Sequence, residues 1–406
     1  MKIEEISNFA YDGLDRLVSE VESSGIARSY AYDLAGNRLA KTETGSGAIT
    51  YALGVGDRLA NYTGGSYAYD TAGCVTAIDR TGKPDLDLTW NGQYQLTSVS
   101  TNGVVAESYT YDPFGRRAST TSGGTTTRHI YDGIHCVADI DSVGRVVKSY
   151  TWGPGVDNLL AITCHSGALA TTYYALTDLQ GTVHGFADAG GNLVARYAYD
   201  AWGNLLDADV AVSALADNRF LFQGREYSWA TGLTNFRLRW YDPATGRWLS
   251  KDPIGTRGGL NMYEFCENDP VNFVDIFGLS PKDVKNILDS FKSEVAAMTD
   301  EGKRNNFYIY NNLAIPAQQL GAWSVTGKAE GLYNGCKGQA YLLQASLNEI
   351  MGSLDDKWQF NVTPTWAGTH YILTAKSSQK NDPTILLDPW RNKTKVKPNS
   401  KNKNEE

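Results

Sequence analysis

The sequence predicts a mostly β chain: a long sheet of stacked hairpins, followed by a small α+β domain. Three observations carry this expectation. The chain holds 24 Tyr, 10 Trp and 41 Gly with only 20% charged residues, a mix that favours strands and turns over helices. A short Tyr-Asp phrase recurs through its first half, which is the mark of a repeat architecture. Charge is also unevenly spread: residues 280–406 carry 16 Lys+Arg against 13 Asp+Glu, so of the formal −8 the first 279 residues hold −11 and the rest +3. At 406 residues, two or three domains are expected, with a boundary near 280.

The repeat comes first. It reads Tyr11-Asp12-Gly13-Leu14, Tyr32-Asp33-Leu34-Ala35-Gly36-Asn37 and Tyr69-Asp70-Thr71-Ala72-Gly73. It continues as Trp90-Asn91-Gly92, Tyr111-Asp112-Pro113-Phe114-Gly115-Arg116, Tyr131-Asp132-Gly133 and Tyr199-Asp200-Ala201-Trp202-Gly203. From Asp70 to Asn91 to Asp112 the step is 21 each time, and on to Asp132 it is 20. Each unit combines an alternating strand, such as Ser108-Tyr109-Thr110-Tyr111, with a turn in which Asp and Gly supply the backbone geometry. Stacked hairpins of this kind make one long antiparallel sheet. Each Tyr-Asp is read as architecture, not as a catalytic pair.

Residues 232–279 are denser in motif. They run Gly232-Leu233-Thr234-Asn235-Phe236-Arg237-Leu238-Arg239-Trp240-Tyr241-Asp242-Pro243, then Ser250-Lys251-Asp252-Pro253, and end on Asp275-Ile276-Phe277-Gly278-Leu279. With the repeat, this closure resembles the Rhs/YD-repeat family of polymorphic toxins, over roughly residues 8–279. The resemblance implies a YD sheet coiled into a shell and self-cleavage after the closing motif. By that resemblance Asp252 and Asp275 are the acid–base pair, Arg239 the orienting cation and Leu279-Ser280 the scissile bond. Ile276 stands where the family usually has Pro.

A new domain is expected from Ser280, where Ser280-Pro281-Lys282-Asp283 reads as a helix start. Within residues 280–406 there is one cysteine, Cys336, and one histidine, His370. Ala340, Leu343, Leu347, Ile350 and Leu354 form a helical apolar stripe, which puts Cys336 at a helix N-terminus. Free N–H groups there bias a thiol toward thiolate. Thr369–Ala375 and Thr384–Asp388 read as two strands. A hairpin centred on Gln379 sets His370 opposite Asp388, roughly 5 Å apart at Cβ. A histidine to take the thiol proton and a carboxylate to orient it complete a thiol enzyme.

Cysteine at a helix start, then histidine and aspartate on strands, is similar to the papain-like and transglutaminase-like fold. The resemblance implies an oxyanion donor upstream, for which Gln318 and Gln319 are the available residues. The expected divisions are 1–231 for the repeat sheet, 232–279 for the closure, 280–392 for the papain-like toxin and 393–406 for a disordered Lys/Asn-rich tail.

The expected function is an Rhs-type toxin whose Cys336, His370 and Asp388 attack an amide carbonyl of a target-cell protein. Deamidation is favoured over proteolysis or transglutamination. The alternative is a shell carrying a toxin of another class, such as a nuclease, with Cys336 structural. No cofactor and no metal are expected. The five cysteines are odd in number and include no Cys-x-x-Cys pair, which argues against a disulfide framework or a zinc site. No stretch reaches the roughly 20 apolar residues of a membrane span. The acidic N-terminus is not a secretory signal, so export through type VI or similar machinery into the recipient cytoplasm is expected. A cognate immunity protein follows from the resemblance, and a nucleic-acid partner is not expected.

Overall fold

The computed structural model describes residues 6–154, 156–166, 169–253 and 255–279, together with four strands in the C-terminal part. Twenty strands, from Ile6–Tyr11 to Leu205–Val210, form one antiparallel sheet. Each strand pairs with its successor in sequence, so the sheet is a continuous meander, as the repeat predicts.

The turn explains the Asp of the repeat. Asp33 Oδ1 accepts the N–H groups of Ala35 at 2.9 Å and Asn37 at 2.8 Å, while Gly36 takes a φ of +80°. Asp12, Asp112, Asp141 and Asp200 hold the same pair of amides, two and four residues on. The carboxylate thus organises the turn, and glycine supplies the left-handed residue in all of these but that of Asp12, where Asp15 takes φ +59°. Asp132 departs from this pattern: it ends its strand and pairs directly with His135.

The aromatic residue before the Asp has a second role. Tyr32 donates its hydroxyl to the Leu17 carbonyl at 2.6 Å, Tyr111 to Leu96 at 2.7 Å, Tyr131 to Arg117 at 2.9 Å and Tyr199 to Val183 at 2.8 Å. Trp90 and Trp152 donate their indole N–H to Val75 and Cys136 at 2.6 and 2.7 Å. Each acceptor lies at the start of the strand after the preceding turn, where the pairing register shifts. A bulge disrupts the ladder there, and the phenol or indole satisfies the carbonyl.

The sheet curls until its first strands meet its last turn. Glu20 accepts the Ala201 N–H at 2.8 Å, Lys41 pairs with Asp200 at 2.9 Å, and the Trp202 ring lies edge-on to Tyr30 at 5.8 Å. Residues 213–279 then bridge distant hairpins. Asn268 donates to the Gly36 carbonyl at 2.7 Å, Tyr263 to Gly73 at 2.8 Å, Ser228 to Glu107 at 2.8 Å and Gln180 to Val271 at 2.7 Å. Two apolar cores form between this segment and the sheet. One gathers Phe220, Phe236, Tyr241, Trp248 and Phe265 against Tyr197 and Trp202; the other sets Trp240 and Leu249 against Leu59, Ile78 and Leu96. One face of the curled sheet is therefore covered by the chain's own closing segment.

In the C-terminal part the strands Trp358–Pro364, Tyr371–Ser377, Thr384–Asp388 and Lys393–Lys397 form a four-stranded antiparallel sheet in sequence order. Two expectations are corrected here. Lys393–Lys397, expected to open a disordered tail, pairs along its length with Thr384–Asp388. Its alternation of Lys with Thr and Val is an edge-strand pattern, in which lysine guards against further pairing. The hairpin register also differs: Leu373 faces Leu387 and Ala375 faces Ile385, so the pairing is centred on position 380, not 379. Position 388 thus falls opposite 372 by extension of this register, two residues from the predicted partner. A hairpin's register is set by its loop, and loop composition alone does not fix it.

Candidate functional site

The closing hairpin builds the site. Thr234–Phe236 pairs with Arg239–Asp242 through a two-residue turn, with Phe236 opposite Arg239 and Arg237 at φ +64°. Against this hairpin lies the end of the closing segment. The Leu238 N–H donates to the Phe277 carbonyl at 3.1 Å, and the Arg237 guanidinium donates to the Ile276 carbonyl. Position 276 thus contributes a backbone oxygen, which Ile supplies as well as Pro. Gly278 has φ +68°, and a Cβ there would stand 2.6 Å from the Phe236 carbonyl and 2.9 Å from the Arg239 nitrogen. Only glycine lets the segment lie this close.

Four of the five residues expected for self-cleavage come together. Arg239, 1% exposed, donates to the carbonyls of Gly278 and Leu279. The same guanidinium pairs with Asp252 at 3.0 Å and Asp275 at 3.4 Å. Its flat face rests on the Trp248 ring, 4.0 Å from the centroid, which fixes its plane. Asp275 accepts the Leu279 N–H at 2.9 Å through its other oxygen. One carboxyl therefore touches the residue whose carbonyl the arginine holds. Asp252 is anchored through its own N–H, which donates to the Met262 carbonyl at 3.0 Å. Ser280 lies outside the described residues.

The electrostatics suit acid–base work. Two carboxylates share one guanidinium, and Asp275 is fully buried. Burial pushes the Asp275 carboxyl up to about 7, against the pull of Arg239 and the Leu279 amide and with a further push from Asp252. A carboxylic acid so poised can deliver a proton near neutral pH, and a guanidinium on a carbonyl oxygen stabilises the charge that develops when that carbonyl is attacked.

The thiol site stands differently. Cys336, His370, Gln318 and Gln319 all lie outside the described residues. Asp388 is at the end of its strand. Among the described residues, His129, Cys136 and Asp139 lie close enough to share a metal ion. The Arg219 guanidinium already sits among them, 3.2 Å from Cys136 Sγ and 3.0 Å from Asp139 Oδ1, while burial pushes the Cys136 thiol up and the His129 imidazole down. This trio is a buried ion-pair cluster filled by an arginine. The trio belongs to one hairpin, where His129 faces Asp139, but the arginine that fills it lies 80 residues on from Asp139, beyond any local sequence window.

A meandering Tyr-Asp sheet closed by an Arg- and Asp-bearing segment defines a YD shell. The chain belongs to the Teneurin YD-shell family, whose model matches residues 2–271. It is 31% identical over 276 residues to the "tRNA nuclease WapA" of Bacillus subtilis (strain 168), covering 65% of this chain and 11% of that protein. It is 29% identical over 303 residues to the "Double-stranded DNA deaminase toxin A" of Burkholderia cenocepacia (strain H111), covering 68% of this chain and 21% of that protein. The "Probable deoxyribonuclease RhsB" of Dickeya dadantii (strain 3937) is 28% identical over 257 residues, covering 61% of this chain and 18% of its own. Among solved structures, "Crystal Structure of TcdB2-TccC3" matches at 17% identity and a TM-score of 0.41, over 68% of this chain and 20% of that one. The chain thus spans about a fifth or less of these relatives. Among the described residues, no helix is long and apolar enough to cross a membrane.

Proposed function

We propose that residues 6–279 are the closing part of an Rhs/YD toxin shell that cuts its own chain between Leu279 and Ser280. The observation that carries this is the single guanidinium of Arg239, which holds the Leu279 carbonyl while pairing with both Asp252 and Asp275. In this reading water, deprotonated by Asp252, adds to the Leu279 carbonyl carbon. Arg239 takes the developing negative charge, and Asp275 gives its proton to the Ser280 nitrogen as the C–N bond breaks. The products are a carboxylate at Leu279 and a free amine at Ser280. Expression of the full chain followed by electrophoresis tests it: two bands are expected, and one band after Asp252→Asn.

The segment released, residues 280–406, is the toxin. From its sequence we assign it as a thiol enzyme with Cys336 as nucleophile, His370 as base and Asp388 as orienter, with Gln318 or Gln319 at the oxyanion. It acts on an amide carbonyl of a recipient-cell protein, deamidation being favoured. Secretion machinery of the type VI kind would deliver it, and an immunity protein would protect the producer. The nuclease and deaminase relatives favour a second reading, in which the toxin is a nuclease or nucleobase deaminase and Cys336 is structural. Expression in a bacterial cytoplasm separates the two: Cys336→Ala and His370→Ala abolish toxicity in the first reading and leave it intact in the second.

A further inference from the structure

Beside the closing hairpin lies a pocket walled by Arg117, His135, Trp152, Arg225, Asn235 and Arg237. Three buried donors of these residues have no hydrogen-bond partner: Arg117 Nε, Arg225 Nε and Asn235 Nδ2. The residues are 5%, 4% and 4% exposed, so water does not satisfy these groups freely. The Asn235 amide is oriented by its other atom, since Oδ1 accepts the Arg237 N–H at 3.3 Å. An unmet buried N–H is costly, and three on residues that line one pocket call for an acceptor.

The carboxylates at hand already carry guanidinium partners, Glu226, which also lines the pocket, through its Oε2. Asp157 receives Arg225 and, at 2.7 Å, Arg237. Glu226 receives Arg117 and, at 2.7 Å, Arg219. Asp139 receives Arg219 and, at 2.7 Å, His129. Four guanidinium groups, of Arg117, Arg219, Arg225 and Arg237, thus meet three carboxylates. Burial and the neighbouring Arg237 charge draw Arg225 down to about 10, while burial pulls His135 to about 4 and leaves that imidazole neutral. The network is one negative charge short.

We propose that this pocket binds a small carboxylate of the size of formate or acetate, which meets the free N–H groups of Arg117, Arg225 and Asn235. A planar two-oxygen acceptor suits guanidinium donors, and the Trp152 ring and Ile134, which also line the pocket, offer an apolar wall to a methyl group.

The test is a thermal melt of the full chain in sodium acetate and in sodium chloride at matched ionic strength. Acetate is expected to raise the midpoint with the logarithm of its concentration once above half-saturation, by about 2 °C for each tenfold. Asn235→Asp keeps the volume and the bond to Arg237 while placing a carboxylate in the pocket wall. That variant is expected to melt higher than the parent without acetate and to lose the acetate response. Equal melts in acetate and chloride would overturn the proposal. So would an acetate response of parental size in Asn235→Asp.

Discussion

In the proposed mechanism, ionisation of Asp275 sets a pH limit on cleavage. Its carboxyl is raised to about 7 by burial, and the proposed reaction uses it protonated. Two pH units above that value only about 1% of the carboxyl carries a proton, against about half at pH 7, so the cleavage rate should drop about fiftyfold between pH 7 and 9. Between pH 5.5 and 6.5 it should be nearly flat on this account. The same shift has a stability side. A raised carboxyl favours the folded state less as pH climbs from its ordinary value of 3.8 to about 7, and the loss is complete above 7. A shift of about 3 units corresponds to on the order of 4 kcal/mol. Asp275→Asn, neutral at every pH, should therefore abolish cleavage and melt higher than uncleaved Asp252→Asn at pH 8, with the gap closing toward pH 4. The assay is refolding of the denatured, uncleaved chain into buffers from pH 5.5 to 9, with the two bands followed by densitometry. A rate that is unchanged or rising to pH 9, or cleavage by Asp275→Asn, would refute the role given to this carboxyl.

Gly278→Ala should leave the sheet folded and slow cleavage at least about a hundredfold, because the new methyl meets the Phe236 carbonyl at 2.6 Å and lifts Leu279 from Arg239. Limited proteolysis of the uncleaved variant should then cut residues 275–279. Tyr111→Phe removes the hydroxyl that caps the Leu96 carbonyl at 2.7 Å, and should cost about 1–3 kcal/mol in urea unfolding without touching cleavage. Trp202→Ala empties a fully buried site against Tyr30 and the Arg38 guanidinium, which lies 3.9 Å from the indole centroid. A loss of about 3–5 kcal/mol is expected in the same measurement.

Much of the shell was legible because its signals are local. Tyr-Asp followed by Gly prescribes a turn within five residues, and the turns bound the strands between them. Arg239, Asp252, Asp275 and Leu279 were found by motif, and their convergence on one guanidinium follows from a hairpin and a glycine that the motif also contains. The bonds of the aromatic hydroxyls leave no local signal, since their acceptors lie 14 to 16 residues upstream. The strand Lys393–Lys397 was hidden by its own lysines, which remove the apolar periodicity while suiting an edge. The pocket drew on positions 117, 225, 235 and 237, which no sequence window joins. Its charge imbalance becomes visible only when the ion pairs are counted in space.

Intact-mass measurement of the purified chain decides whether this shell cuts itself at one peptide bond. Two species are expected, whose masses meet between Leu279 and Ser280, with the smaller beginning at Ser280, and a single full-length species for Arg239→Ala or Asp252→Asn. A single intact species from the parent sequence near pH 6.5, or a cut at another bond that survives both substitutions, would contradict this expectation.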